Sequence, residues 1–174
     1  MNKNKKGEIS NSVQNFHLPK FNEIPDVGLF LEQVTKYVSD YLSPLTKNPI
    51  TSSMISNYVK KEIIPRPVKR LYFREHIVYI IFIAIAKNVL PLEHLQTFIE
   101  MQKKTYDIEI AYEYFCMEFE NVLLYVFEKK DTLDMIGIDD TDEKYMLRNT
   151  IIAVVHKFYL EKCFERIEEN NKRE

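Results

Sequence analysis

Six cations fall within residues 57–74 of the sequence: Lys60, Lys61, Arg66, Lys69, Arg70 and Arg74. Glu62 is the one acidic residue among them, so the stretch carries a local charge of +5 in a chain whose formal net charge is −2. Ammonium and guanidinium groups gathered this way complement phosphate oxygens. The short polar helix expected just before them, within ITSSMISNYVKK at residues 50–61, would lie beside this basic stripe. Residues 118–143 are the reverse, with nine carboxylates against Lys129 and Lys130, a local charge of −7. That half should repel nucleic acid and face away from it. The competing reading of both stretches is a solvated charge run.

Other chemistries find less support. His17, His76, His94 and His156 are scattered without metal-ligand spacing, although His76 and His94 could approach each other across neighbouring helices. Each is expected as a surface or satisfied core residue. Cys116 and Cys163 form no CxxC and sit amid aromatic residues, which points to buried, reduced thiols. No nucleophile motif such as GxSxG occurs. The expectation is no enzyme, no metal and no cofactor.

The elements that must hold the basic stretch can be read from periodicity. Residues 1–18 are polar and are expected as a flexible tail. Pro19 and Pro25 bracket an extended lead-in. Asp26 is placed to cap a helix to about Leu42, with Phe30, Val34, Tyr37, Val38 and Tyr41 as its apolar stripe. Thr51 is a natural N-cap for a helix of residues 52–61, with Ile50 and Ile55 as a hydrophobic staple. Met54, Ile55 and Tyr58 face inward on it. Pro65 and Pro67 stop it, and residues 69–73 (KRLYF) suit a short extended arm.

The next helix, residues 74–87, is apolar almost all round and should be central. Pro91 opens another. Long helical patterns follow over residues 106–130 and 142–168, separated by a turn containing Gly137. Asp140 and Glu143 have capping-box spacing at the start of the last helix. The aromatic surplus of these two helices exceeds one stripe. A thick core, a dimer interface and a small-molecule pocket are the three readings of it.

Composition agrees with a helical fold. The chain has 174 residues, 45% of them hydrophobic, and only three glycines, too few for a hairpin-rich fold or phosphate-cradling loops. The longest apolar run, residues 77–86, is ten residues, about half of the roughly 20 needed to cross a bilayer. The N-terminus has lysines but no apolar run behind them, unlike a signal peptide. A cytoplasmic protein without a membrane span is expected.

MISNYVKKEIIP, followed by RLY and then by VLPLEHL, resembles the DNA-binding domain of the MerR family of regulators. Met54-Ile55 matches the start of that family's second helix, Tyr58 and Lys60 its tyrosine and lysine, and Ile63-Ile64-Pro65 its exit. Arg70-Leu71-Tyr72 matches the end of its wing, and residues 91–95 (PLEHL) its later helical phrase. Departures are Ser56 in place of an Arg, Asn57 in place of a tyrosine, and Glu62 in place of a Gly that ends the helix with φ > 0. Prolines replace the glycine of the wing, and the connection over residues 43–51 is longer than a tight helix-turn-helix has. The sequence is still more similar to a bacterial family, the domain of unknown function numbered eighteen thirty-six. The likeness lies at LFLEQV (29–34), ITSSMISNYVK (50–60), Ile64-Pro65, Tyr72 and residues 90–95, and covers roughly residues 18–100 well.

The resemblance implies a MerR-like helix-turn-helix module with a short wing-like arm at 19–104. With the helical patterns that follow it, an all-α protein is expected, whose C-terminal dimerisation or sensing region at 105–174 is a long antiparallel helical hairpin. The resemblance implies a transcriptional regulator that binds double-stranded DNA. In such a module Thr51, Ser52, Ser53, Ser56 and Asn57 would meet base edges, Asn57 with a geometry suited to adenine. Lys60, Lys61, Arg66, Lys69, Arg70 and the Tyr72 hydroxyl would contact phosphate. A homodimer is expected, because DNA half-sites call for two-fold proteins. A small-molecule effector in the C-terminal helices is the further option. The rival function is a protein-interaction or regulatory domain that keeps the helix-turn-helix scaffold without binding DNA. Ser56 and Glu62 favour that rival.

Overall fold

The computed structural model describes residue 7, residues 9–137 and residues 141–172. Its helices are α1 (Leu31–Leu42), α2 (Ser52–Lys60), α3 (Arg74–Ala86), α4 (Leu92–Thr105), α5 (Ile108–Val126) and α6 (Asp142–Asn171), with a 3-10 turn at Phe21–Glu23. The described residues contain no strand. Two isolated antiparallel bridges, Leu29 with Tyr72 and Val68 with Leu71, are their only β pairing. The protein is all-α.

α3 is the centre of the molecule. Ten of its thirteen residues are buried, so it has no solvent face to spare, and α1 and α6 pack on it. Each isoleucine there contributes about 1.5–3 kcal/mol through burial. Residues 9–18 join the same core: Ile9, Val13 and Leu18 are buried, and the Phe16 ring meets Phe119 edge-on at 6.2 Å. The expected flexible tail is therefore corrected from Ile9 onward. The four-residue step from Ile9 to Val13 gives that segment an apolar face, and Lys129 Nζ donates to Asn11 Oδ1 at 2.6 Å. Residues 1–6 and residue 8 of the expected tail lie outside the described residues. The expected boundary at 104/105 does not divide the core either. Tyr112 of α5 donates its hydroxyl to the Pro19 carbonyl at 2.9 Å, which ties the lead-in to the C-terminal half.

α1 starts at Leu31, later than expected. Asp26 does not cap it; the Phe30 N–H is taken by Gln33 Oε1 at 2.8 Å. The intervening residues are drawn out by the bridge, in which Leu29 N–H donates to Tyr72 O at 2.9 Å and Tyr72 N–H to Leu29 O at 2.8 Å. Asp26 instead faces Arg74 at 3.9 Å. Val34, Val38 and Leu42 form the buried stripe, while Phe30 is exposed.

α2 begins at Thr51, whose Oγ1 accepts from the Met54 N–H at 3.2 Å. Its end is a Schellman turn: Ile63 N–H donates to Tyr58 O and Glu62 N–H to Val59 O, each at 3.0 Å. That turn needs a left-handed residue, and Glu62 supplies it at φ 59°. A side chain with a Cβ is strained there. Glu62→Gly therefore stabilises the protein by about 1 kcal/mol, read as a rise of roughly 2–4 °C in the thermal midpoint. A fall in the midpoint would contradict the turn as described.

The last two helices are parallel, which corrects the expected antiparallel hairpin. Tyr106 meets Thr141 at 3.2 Å, Glu118 meets Arg148 at 2.7 Å, and the Phe127 and Tyr159 rings are 5.3 Å apart. Contacts thus advance along both helices together. The connecting segment makes this possible by running back beside α5. Asn121 Nδ2 donates to Asp134 O at 2.9 Å, and the Tyr114 hydroxyl to Ile136 O at 3.2 Å. Extended chain covers about 3.3 Å per residue against 1.5 Å in a helix, so a short segment can retrace a long helix. α6 is capped by Thr141 Oγ1, which accepts from Lys144 N–H; the expected cap, Asp140, lies outside the described residues. Near its far end, Glu161 accepts from the Thr46 hydroxyl at 3.4 Å and Glu165 pairs with Lys47 at 3.5 Å. Both partners belong to the loop that leads into α2.

Candidate nucleic-acid interface

The outward side of α2 carries Ser53, Ser56, Asn57 and Lys60, all exposed. At 100° per residue these positions share one arc of the helix. Ile55 and Tyr58 occupy the opposite, buried side. Ser52 belongs with neither group: its Oγ is 3.0 Å from Thr35 Oγ1 of α1. That bond engages the Ser52 hydroxyl, which is half-buried, with α1. Thr51 is exposed but occupied as the cap, and its hydroxyl also lies 3.2 Å from Ser53 Oγ.

After α2, the chain descends through Ile63 and Ile64, both buried, to a hairpin of two residues. Val68 N–H donates to Leu71 O at 3.0 Å and Leu71 N–H to Val68 O at 2.9 Å. The two residues between them, Lys69 at φ 50° and Arg70 at φ 69°, are both left-handed. A turn with two consecutive positive φ values is the type I′ hairpin turn, which normally carries Asn-Gly. Here it carries two exposed cations.

The turn is anchored from below. The Leu29–Tyr72 bridge sets a third segment beside it, and Gly28 packs directly on Leu71. A Cβ at Gly28 would lie 2.7 Å from Leu71 Cβ and 3.1 Å from Phe73 Cζ. Gly28→Ala therefore costs about 1–3 kcal/mol, measurable by urea denaturation, because a Cβ next to the main chain cannot swing aside. A second anchor is His76, which is buried. Its Nδ1 accepts from the Phe73 N–H at 3.1 Å, leaving Nε2–H to donate to the Arg66 carbonyl at 3.3 Å. Both ring nitrogens are thus committed to backbone, and the imidazole lies against the Tyr72 and Phe73 rings.

Tyr72, expected as a phosphate donor, is only 5% exposed and belongs to the core. Burial also raises its phenol above the ordinary tyrosine value. The residue is held inside because its backbone forms the bridge and its ring packs on His76. Arg74 is likewise a structural cation. Its Nε donates to the Ile24 carbonyl at 3.0 Å and its guanidinium lies 5.2 Å from the centre of the Phe21 ring. Arg66 is exposed and faces Glu62 at 3.3 Å, an exposed pair that contributes little. Among the described residues, Lys60, Lys61, Lys69 and Arg70 have no salt-bridge partner.

The acidic half is less free than its composition suggests. Glu118 is wholly buried against Arg148, and Asp134 pairs with Lys130. Cys116 is buried, and loss of solvation pushes its thiol up to about 12, which leaves it a poor nucleophile near neutrality. No cluster of three metal-ligating side chains occurs among the described residues, and none of their helices is long and apolar enough to cross a membrane.

Sequence reasoning placed His76 as a surface or satisfied core residue but missed its capping role, and it missed Gly28 and the left-handed pair. His76 carried a signal, since it stands three residues after Phe73 in the spacing of a capping side chain. The Lys69-Arg70 turn carried none, because neither residue is typical of a type I′ turn. No curated protein and no solved structure matches the chain. Residues 19–115 match a family described as a domain of unknown function, DUF1836, and this span holds α1 to α4, the cationic turn and its anchors. More than half of the chain is covered, and the protein belongs to the DUF1836 family.

Proposed function

We propose that the protein is a DNA-binding regulator with a MerR-like helix-turn-helix, in which α2 is the recognition helix and the turn at Lys69 and Arg70 is a two-residue wing. Ser53, Ser56 and Asn57 address base edges, and Lys60, Lys61, Arg66, Lys69 and Arg70 neutralise phosphates. The observation that carries this reading is the strained turn. Two cations occupy left-handed positions that Asn and Gly would fill at lower cost, and strain of that kind is retained where a function uses it. The regulator works as a homodimer. Exposed Met146, Leu160, Phe164 and Ile167 of α6 lie on the side opposite its buried Ile151, Val154, Val155 and Phe158, and offer an apolar stripe to a second copy.

Electrophoretic titration against random duplexes at about 50 and 200 mM salt tests the proposal. Five phosphate contacts give a slope of about −4.5 in log affinity against log salt, and so a loss of roughly 500-fold between the two conditions. No complex at the lower salt, or a slope near zero, overturns it. The rival is a protein-interaction domain on the same scaffold. The exposed Val27, Phe30 and Val68, which flank the bridge and turn with apolar surface, favour it.

A further inference from the structure

An apolar cavity lies away from the cationic turn, between α3, α4, α5 and the first turns of α6. Its volume is about 340 Å³, within the range of small-molecule sites. Phe82 lines it, with Phe98 and Phe115 edge-on to it at ring distances of 5.5 and 5.6 Å. Ile99, Ala111 and the half-exposed Leu147 also line it.

The polar groups in the wall are already engaged. The Tyr79 hydroxyl donates to Gln102 Oε1 at 3.2 Å, and Gln102 Nε2 donates to the Tyr106 carbonyl at 2.8 Å. The hydroxyls of Tyr106, Tyr112 and Tyr114 bond to Thr141, to the Pro19 carbonyl and to the Ile136 carbonyl. Glu143 accepts from the Thr105 hydroxyl at 2.6 Å. The tyrosines therefore offer ring surface to the cavity and spend their hydroxyls elsewhere.

Charge is balanced as well. Lys144 lies 4.7 Å from the Tyr114 ring centre and 5.9 Å from that of Tyr106, while Lys103 lies 5.1 Å from Tyr79. These cations already cover ring faces that would attract a cationic ligand. Glu113 and Glu143 in the wall disfavour an anion. An apolar cavity of this kind takes up apolar molecules in preference to water.

We propose that this cavity is a binding site for a neutral, planar, largely hydrocarbon molecule of two or three rings. The proposal does not depend on DNA binding. The probe is N-phenyl-1-naphthylamine, neutral and fluorescent in apolar surroundings, titrated into the full chain. Saturable one-to-one enhancement and a raised thermal midpoint are expected. Naphthalene displaces the probe, whereas naphthalenesulfonate and a naphthyl trimethylammonium ion do so at least about tenfold less well. Ala111→Phe fills the cavity and abolishes the enhancement while the chain stays folded by circular dichroism. If that variant does not fold, Leu147→Trp at the half-exposed lining position takes its place. Enhancement that does not saturate, that survives the filling variant, or that both ions compete away equally overturns the site.

Discussion

Arg148→Met lowers the unfolding free energy by about 3–5 kcal/mol, the range for stripping one partner from a buried ion pair. Glu118 is fully buried on α5, and Arg148 Nη1 donates to its Oε1 at 2.7 Å. Among the described residues the second oxygen, Oε2, has no hydrogen-bond partner, so Arg148 is the main compensation for that burial. Desolvation already raises the Glu118 carboxyl, and Arg148 and Lys130 offset this only in part. Removing Arg148 raises it further. A carboxyl whose folded value exceeds its unfolded one binds its proton more tightly in the native state. Acidification through that window therefore favours the folded variant. The loss is greatest near neutral pH and shrinks as pH falls toward about 5. Urea denaturation at both pH values reads it out, and the double variant Glu118→Leu/Arg148→Met recovers most of the stability. A deficit under about 1 kcal/mol for the single variant at neutral pH would show that the pair does not hold α5 to α6.

The second large effect separates stability from binding at one turn. Lys69→Asn/Arg70→Gly gives the turn the residues that its backbone geometry prefers, and stabilises the fold by about 1–2 kcal/mol. The same change removes two of the five proposed phosphate contacts. The salt slope drops by about 1.8, and affinity for random duplexes at 0.1 M salt falls roughly 60-fold. Thermal melts and electrophoretic titration of one preparation measure both. Higher stability with unchanged affinity would remove the wing from the interface. Lower stability would contradict the turn geometry itself.

Much of the helical scaffold was legible because its signals are local. Thr51 announces α2, the apolar run over 77–86 announces a central helix, and Pro91 announces α4. What was not legible depends on distant partners. Asp26 has the right chemistry for a cap, yet Leu29 is drawn into pairing with Tyr72, more than forty residues away. Tyr72 follows the cations closely in sequence but points into the core. The direction of α6 relative to α5 was hidden for a related reason. Apolar periodicity identifies the buried face of a helix and says nothing about its polarity, so a connecting segment that retraces α5 looks like an ordinary turn. At the site, residue types identified the exposed cations Lys60, Lys61, Arg66, Lys69 and Arg70. Only in the folded chain is Ser52 tied to Thr35, with two of those cations on strained backbone.

α6 has thirty residues and so spans about 45 Å. One end meets the aromatic cavity through Leu147, and the other meets Thr46 and Lys47 just ahead of α2. A rod pinned in this way has little slack. A slight shift caused by crowding at Leu147 would be passed along it to the joint from which the α2 helix departs.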